Sequence, residues 1–301
     1  MKKTAEKRII PSGLLLFNKK AGITSFQALG EIKRALGTGK VGHTGTLDKF
    51  AEGLLVVLSG QALKLSQWFS NCNKQYLGTI RFGIETDTLD PEGTAIFDAP
   101  LPSREAVQQV LGQFSGDILQ EPPAYSAIHI NGKRASDLAR SGEAPVMKKR
   151  PVHIYRLQLA SWDPPFARIY VHCSSGTYIR SLARDIAIAA GSRAHLTGLL
   201  RTMVAGFKLE DACTAPLSAP VLRPVDKAII STLGFPWFEV SEIEAEKMIN
   251  GKDLVGILGD KPLFRKNEPA SNSPAAVFSE EGLVAIVEKN EGKWKYGCVF
   301  G

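Results

Sequence analysis

The sequence predicts an α+β protein: a mixed or mainly antiparallel central sheet with flanking helices, followed by a small β-barrel. Three observations predict it. Strand-like and helix-like stretches intermingle without the strict alternation of a doubly wound sheet. Residues 152–162 and 167–173 read as one hairpin across the Asp163-Pro164-Pro165 turn. Beyond a connector rich in Pro, Ser and Ala at 215–236, short strands recur between Gly and Asn/Pro turns.

Taken in order, residues 13–18 form an apolar strand. A helix follows, with Thr24 or Ser25 as N-cap and Gln27 as capping-box partner to Thr24. Phe26, Leu29, Ile32 and Leu36 share its apolar face, and Gly37 and Gly39 end it. Residues 40–52 are a Gly- and Thr-rich loop before a buried strand at 54–58. Residues 61–69 read as helix, and 75–83 alternate like a half-exposed strand. A loop with a Pro-Glu-Gly turn fills 85–93, Ser103 caps a helix reaching Phe114, and 124–130 returns as a strand. Residues 131–150 are polar and carry Lys133, Arg134, Arg140, Lys148, Lys149 and Arg150, which makes them a surface excursion. Residues 177–190 form an amphipathic helix. The C-terminal strands are expected at 237–240, 254–258, 275–278, 283–288 and 293–299.

A chain of 301 residues, 44% hydrophobic and 22% charged, can bury a core in each of two domains. These are expected at 1–225 and 235–301. A net charge of +7 leans towards a polyanionic partner, though composition alone is a weak signal. The apolar runs are strand-sized, far below the roughly 20 residues that span a bilayer, and nothing in the charged N-terminus targets export. Cys72, Cys173, Cys213 and Cys298 are widely separated and form no C-x-x-C pair, which points to free thiols in a reducing cytoplasm. Gly37–Gly42 matches G-x-G-x-x-G formally. A helix precedes it and a loop follows, the wrong context for a dinucleotide site.

The segment Gly42-His43-Thr44-Gly45-Thr46-Leu47-Asp48 offers one carboxylate. Lys74-Gln75-Tyr76 offers a phenol beside a cation, and Ser175-Gly176-Thr177-Tyr178-Ile179-Arg180 a guanidinium beside another phenol. Viewed singly, Asp48 could be an Asx-turn residue, Arg180 could pair with Asp185, His43 could bond backbone, and both tyrosines could sit in the core. The histidines show no metal-ligand spacing.

Together these segments resemble the TruB family of tRNA pseudouridine-55 synthases. The resemblance also rests on residues 16–25, on Gly53-Leu54-Leu55, on Thr86-Asp87-Thr88-Leu89-Asp90, on Pro123-Ala124-Tyr125-Ser126-Ala127 and on residues 173–180, in the family's order. It runs from about residue 13 to 207. Three positions depart from the family pattern: Lys20 and Lys49 replace prolines, and Leu200 in Leu199-Leu200-Arg201 replaces an arginine.

The resemblance implies a pseudouridine synthase fold with a PUA-like C-terminal domain. It implies a tRNA T-stem-loop as substrate, base flipping, and isomerisation of uridine 55 without cofactor or metal. Asp48 is then the nucleophile, attacking ribose or base or helping through a glycal-like intermediate. Arg180 pairs with it and lowers its pKa, and Tyr76 stacks on the base and takes part in proton transfer at C5. Tyr178 and Leu199 line the pocket, His43 holds the reorganised loop, and Lys19 supports the loop or contacts a phosphate. The 131–150 excursion clamps the RNA through Lys133, Arg134, Lys148 and Arg150. The implied setting is a cytoplasmic monomer needing no protein partner and no membrane. Two other readings stay open: a guide-dependent synthase of the dyskerin type, and a non-catalytic tRNA-folding chaperone.

Overall fold

The computed structural model describes residues 10–143, 145–214, 222–259, 261–264 and 274–301. The charged N-terminus and residues 215–221 of the expected connector lie outside the described residues. In chain order the elements are β1 (Gly13–Lys19), α1 (Ser25–Leu36), β2 (Val41–His43), β3 (Glu52–Ser59), α2 (Ser66–Ser70), β4 (Lys74–Phe82), β5 (Ile84–Thr86), β6 (Ala95–Asp98), α3 (Arg104–Val110) and β7 (Gly116–Gln120). Then come β8 (His129–Ile130), β9 (Lys133–Arg134), α4 (Ala135–Arg140), β10 (Arg150–Asp163), β11 (Phe166–Cys173), α5 (Ile179–Ala189), β12 (Ala194–Val204), β13 (Phe207–Lys208) and α6 (Lys227–Thr232). The C-terminal unit holds β14 (Trp237–Glu239), α7 (Glu242–Ile249), α8 (Val255–Leu258), β15 (Ala275–Ser279), β16 (Gly282–Asn290) and β17 (Lys293–Val299).

The main sheet runs β1-β3-β12-β4-β11-β10-β7, with β2 on β3 and β13 on β12. Its pairings are antiparallel except β12 with β3, so the sheet is mixed, as expected. The C-terminal unit is a four-stranded sheet, β14-β15-β16-β17. Several elements differ from the sequence expectation, which held no counterpart of α4, α6 or α7. Residues 255–258 of the expected strand at 254–258 are helical, because Ile257 and Leu258 are buried on a helical face, with Leu254 buried at its N-cap, that two residues of alternation cannot reveal. Only His129–Ile130 of 124–130 forms strand. β7 and β12 occupy stretches that carry no strand signal: β7 is short and opens on Gly116, and the alternation of β12 is broken by register shifts at Leu196/Gly198 and Arg201/Met203.

Burial explains the apolar runs. One face of β1 and β3 packs Leu15, Phe17, Leu55 and Val57 against Ala28, Leu29 and Ile32 of α1. The other packs Leu14, Leu16, Leu54, Val56 and Leu58 against Phe69, Phe207 and, from the C-terminal unit, Ala276, Phe278 and Ile286. Strands covered on both sides read as continuous hydrophobic runs. Helix α1 begins at Thr24 with the reciprocal Thr24–Gln27 capping box and ends at left-handed Gly37. Its buried face is turned from the expected one, leaving Phe26 75% exposed. α5 and α3 cover β4, β10, β11 and β12 on one side through Leu182, Ala183, Ile186 and Val107.

The parallel contact that brings β12 beside β3 depends on Gly53. Its φ is +104°, and a Cβ there would lie 2.4 Å from the Arg201 carbonyl oxygen. Gly53→Ala should therefore cost about 3 kcal/mol in urea denaturation, whereas Phe26→Ala should change stability by less than about 0.5 kcal/mol. A costly Phe26→Ala would contradict the observed helix face.

Candidate active site

Asp48 sits in the loop between β2 and β3, and buried polar groups on two sides fix that loop. Ser25, at the first turn of α1, donates through Oγ to the Leu47 carbonyl at 3.0 Å and accepts from the Leu47 amide at 2.9 Å. Lys19 is fully buried at the end of β1. Its ammonium donates to the carbonyls of Lys20, Ile23 and Ala51, with Lys49 at 3.5 Å. From the other side Arg201, also buried, donates through Nε to Leu54 at 2.7 Å and through Nη2 to Gly45 at 3.0 Å. Its Nη1 reaches Thr46 at 3.3 Å. Two cations thus grip the loop by its carbonyl oxygens, partners that would otherwise be orphaned on burial. Lys49, which stands where the family pattern has proline, pairs with Glu92 at 2.8 Å on the surface.

Arg180, on the first turn of α5, is the hub. Its Nε donates to Asp48 Oδ2 at 3.0 Å and its Nη2 to Asp48 Oδ1 at 3.2 Å, a bidentate pair. Nη2 also donates to the Tyr125 carbonyl at 3.0 Å, while Nη1 donates to the Thr88 carbonyl at 2.8 Å and Asp90 Oδ2 at 3.1 Å. These five bonds use all five guanidinium N–H groups. Asp90 is buried and held in turn, accepting on Oδ1 from the Thr88 hydroxyl at 2.6 Å and the Glu92 amide at 3.0 Å. Asp185, the alternative partner, is taken by Arg184 at 2.8 Å.

The sequence led us to expect Arg180 to lower the Asp48 pKa; Arg180 does pull it down, but the net shift is upward. Burial raises it above its ordinary value by more than Arg180 pulls it down, and Asp90 adds to the rise. The Asp48 side chain nevertheless keeps 36% of its surface open to the cleft, so an incoming atom can reach it.

That cleft has a volume of about 490 Å³. Tyr76 on β4, Tyr178 and Leu199 on β12 line it with Lys74, Arg201 and Asp48. Burial pushes the Tyr76 phenol up to about 12, against the opposing pull of Arg201. Burial also brings Lys74 down to about 8, with Arg201 adding to the effect. Tyr178 is set by buried Gln120, whose Oε1 accepts from the Tyr178 amide at 2.8 Å while Nε2 donates to its carbonyl at 3.1 Å.

The fold therefore gathers Asp48, Tyr76, Tyr178, Arg180 and Leu199 at one cleft, with Arg134 and Arg140 of the 131–150 excursion at its edge. It does not bring all the expected residues there. Lys19 is sealed inside, which leaves it loop support and removes the phosphate alternative. His43 is half-buried on β2 outside the cleft lining, with Nδ1 unpartnered and its pKa lowered by burial. Lys133 is exposed on β9, and Lys148 and Arg150 flank a separate hollow beside Val146 and Met147. Asp90, Arg201, Lys74 and Gln120 are site residues that the sequence reading did not select. Asp90, Lys74 and Arg201 stood inside quoted motifs, whereas Gln120 carried no local signal. Among the described residues no cluster of three or more His, Cys, Asp or Glu could hold a metal ion. None of the described helices is long and apolar enough to cross a membrane.

A lone carboxylate held bidentately by arginine, facing a buried phenol at the heart of a mixed sheet, defines the pseudouridine synthase class. The Cbf5 chain of a Cbf5–Nop10–Gar1 complex shares this fold, with a TM-score of 0.69 and 22% identity over 96% of this chain and 84% of that one. Residues 33–179 match the family model for the TruB family pseudouridylate synthase N-terminal domain. A tRNA pseudouridine synthase B of Borreliella burgdorferi (strain ZS7) is 45% identical over 294 residues, covering 96% of this chain and 99% of that protein. The Francisella tularensis subsp. novicida protein of the same name is 36% identical over 294 residues. The one from Treponema denticola is 47% identical over 219 residues, covering 66% of this chain and 61% of that protein. The chain belongs to the TruB family.

Because Lys74 titrates near 8 in the fold and 10.5 when free, the unfolded chain binds more protons between those values, and Lys74 adds stability as pH rises through that window. Wild type should accordingly gain stability relative to Lys74→Met between pH 7.5 and 9.5, read from paired urea titrations. Parallel pH dependences would show that Lys74 is not held as described.

Proposed function

We propose that this protein isomerises uridine 55 in the T-loop of tRNA to pseudouridine, with Asp48 as nucleophile. The observation that carries the proposal is the Arg180-held Asp48 carboxylate opening onto the Tyr76 cleft. The base leaves the T-loop stack and enters the cleft, since a folded loop hides its glycosidic bond. The N1–C1′ bond breaks, the uracil turns, a C5–C1′ bond forms, and the proton on C5 departs while N1 gains one. Nothing is oxidised or reduced.

Arg180 has every donor committed within the protein, so it serves Asp48 rather than a phosphate. Tyr76, with its pKa near 12, stays a neutral phenol at physiological pH and can pass a proton at C5. Its ring offers a stacking face to the detached uracil, worth about 1–3 kcal/mol. Tyr178 and Leu199 close the pocket, and His43 braces the loop from behind. Residues 1–225 form the catalytic domain and 235–301 a PUA-like unit that contacts RNA. The excursion at 131–150 clamps tRNA through Lys133, Arg134, Lys148 and Arg150. The protein works in the cytoplasm as a monomer without a protein partner.

The test is release of tritium from uracil C5 in an unmodified tRNA transcript, with the altered nucleotide mapped. Release should map to position 55 and vanish in Asp48→Asn, whose tRNA affinity should stay within about threefold; normal turnover by that variant would sink the assignment. Tyr76→Phe should slow the single-turnover rate more than it weakens binding. Because the Asp48 pKa is raised, the acid limb of kcat/KM should lie above the ordinary carboxylate value of 3.8; a limb at or below it would contradict the burial argument. Reversing the charge of Lys148, Lys149 and Arg150 should weaken tRNA binding and flatten its salt dependence.

A further inference from the structure

The main sheet has a second face, turned away from α5 and the Asp48 cleft. On β11 the residues Ile169, Val171 and Cys173 point into the core, so Arg168, Tyr170 and His172 point outward. On β10 the register shift between Ile154 and Arg156 is a bulge. It puts two consecutive side chains, Tyr155 and Arg156, on that outer face. Tyr155 is 53% exposed and its ring makes tilted contacts with two imidazoles, 4.6 Å from His153 and 4.8 Å from His172 between centroids. The next row places the Arg156 guanidinium 5.6 Å from the Tyr170 ring.

We propose that this face binds a single strand of RNA, separately from the substrate cleft and independently of the isomerase reading. Charge and chemistry both choose the occupant. Arg81, Arg156 and Arg168 stand on neighbouring strands and form no ion pair among the described residues, so their charge is available to phosphates. The acids sit at the margins: Asp117 is bonded to His153 at 2.7 Å, and Asp163 lies at the hairpin end. An acidic peptide would satisfy the arginines but leave the aromatic row unused. Bases have π faces to stack on Tyr155 and Tyr170, and unpaired ones are free to do so, the arrangement by which other sheet surfaces take single-stranded RNA. The two tilted imidazoles brace the Tyr155 ring, which limits the entropy lost on binding. On β4, Leu77 adds apolar surface opposite Tyr170.

The experiment is fluorescence anisotropy with a labelled uridylate decamer, first alone and then with unlabelled T-stem-loop saturating the cleft. The decamer should bind in both conditions. Tyr155→Ala should weaken it at least fivefold, as the loss of one stacked base predicts. Arg156→Glu with Arg168→Glu should weaken it tenfold or more and reduce the salt slope by about 1.4. Both variants should release tritium from the T-stem-loop within twofold of wild type, which also shows that they fold. The proposal is overturned if the T-stem-loop displaces the decamer, if neither variant alters decamer affinity, or if a polyglutamate peptide competes as well as RNA does. Failure of tritium release in wild type would refute the isomerase reading and leave the binding result standing.

Discussion

Arg180 is the group on which the site depends. Its side chain is only 6% exposed and reaches three separate stretches of chain: the catalytic loop at Asp48, the 86–94 loop at Thr88 and Asp90, and the irregular segment at Tyr125. A buried guanidinium with even one unused N–H would be costly, and here none is unused. The consequence is directional. Asp48 cannot rotate away without stranding two donors, and Asp90 fixes the guanidinium from the far side. Burial would by itself push the Asp48 carboxyl towards its neutral form; Arg180 opposes that and sets the direction in which the carboxylate faces the cleft.

The rest of the fold brings that hub to its target. β3 and β12 approach in parallel at Gly53, which lets Arg201 reach the carbonyls of Gly45, Thr46 and Leu54. Lys19 grips the loop from β1. The C-terminal unit packs on the far face of β1 and β3 and adds side-chain bonds, Lys64 Nζ to the Val299 carbonyl at 2.6 Å and Trp68 Nε1 to Glu288 at 3.2 Å. The strands carrying the catalytic loop are therefore clamped on both sides, suited to a carboxylate that must hold its position while a base is detached.

Much of this was legible in the residues. The Thr24–Gln27 capping box, the Pro-Pro hairpin and the doubly buried strand at 54–58 follow from local chemistry. Asp48, Tyr76 and Arg180 came from motifs in a family's order. What local pattern could not show were relations across the chain. Phe26 fits an apolar helical stripe, but the strand surface that α1 meets selects Ala28, Leu29 and Ile32 instead. β12 hides behind two register shifts although it lies between β3 and β4. Lys19 resembles a phosphate ligand until its four carbonyl partners, two of them in the distant loop at Lys49 and Ala51, are known. Arg201 remains where the family pattern has two arginines. Leu200, at the replaced position, pairs with Leu77 on the outer face, so that departure leaves the cleft intact. The direction of the Asp48 shift needed the depth of burial, which pairing alone does not supply.

The most direct test of this account is the single-turnover rate of Arg180→Lys on a T-stem-loop, measured beside its equilibrium affinity. Lysine keeps the charge but not the fork that holds both oxygens of Asp48 and reaches Asp90. The account predicts a rate at least about 100-fold lower, with affinity within about threefold showing that the cleft is still formed. A rate within a few-fold of wild type would mean that charge alone suffices, and that the five-bond network is not what orients the nucleophile.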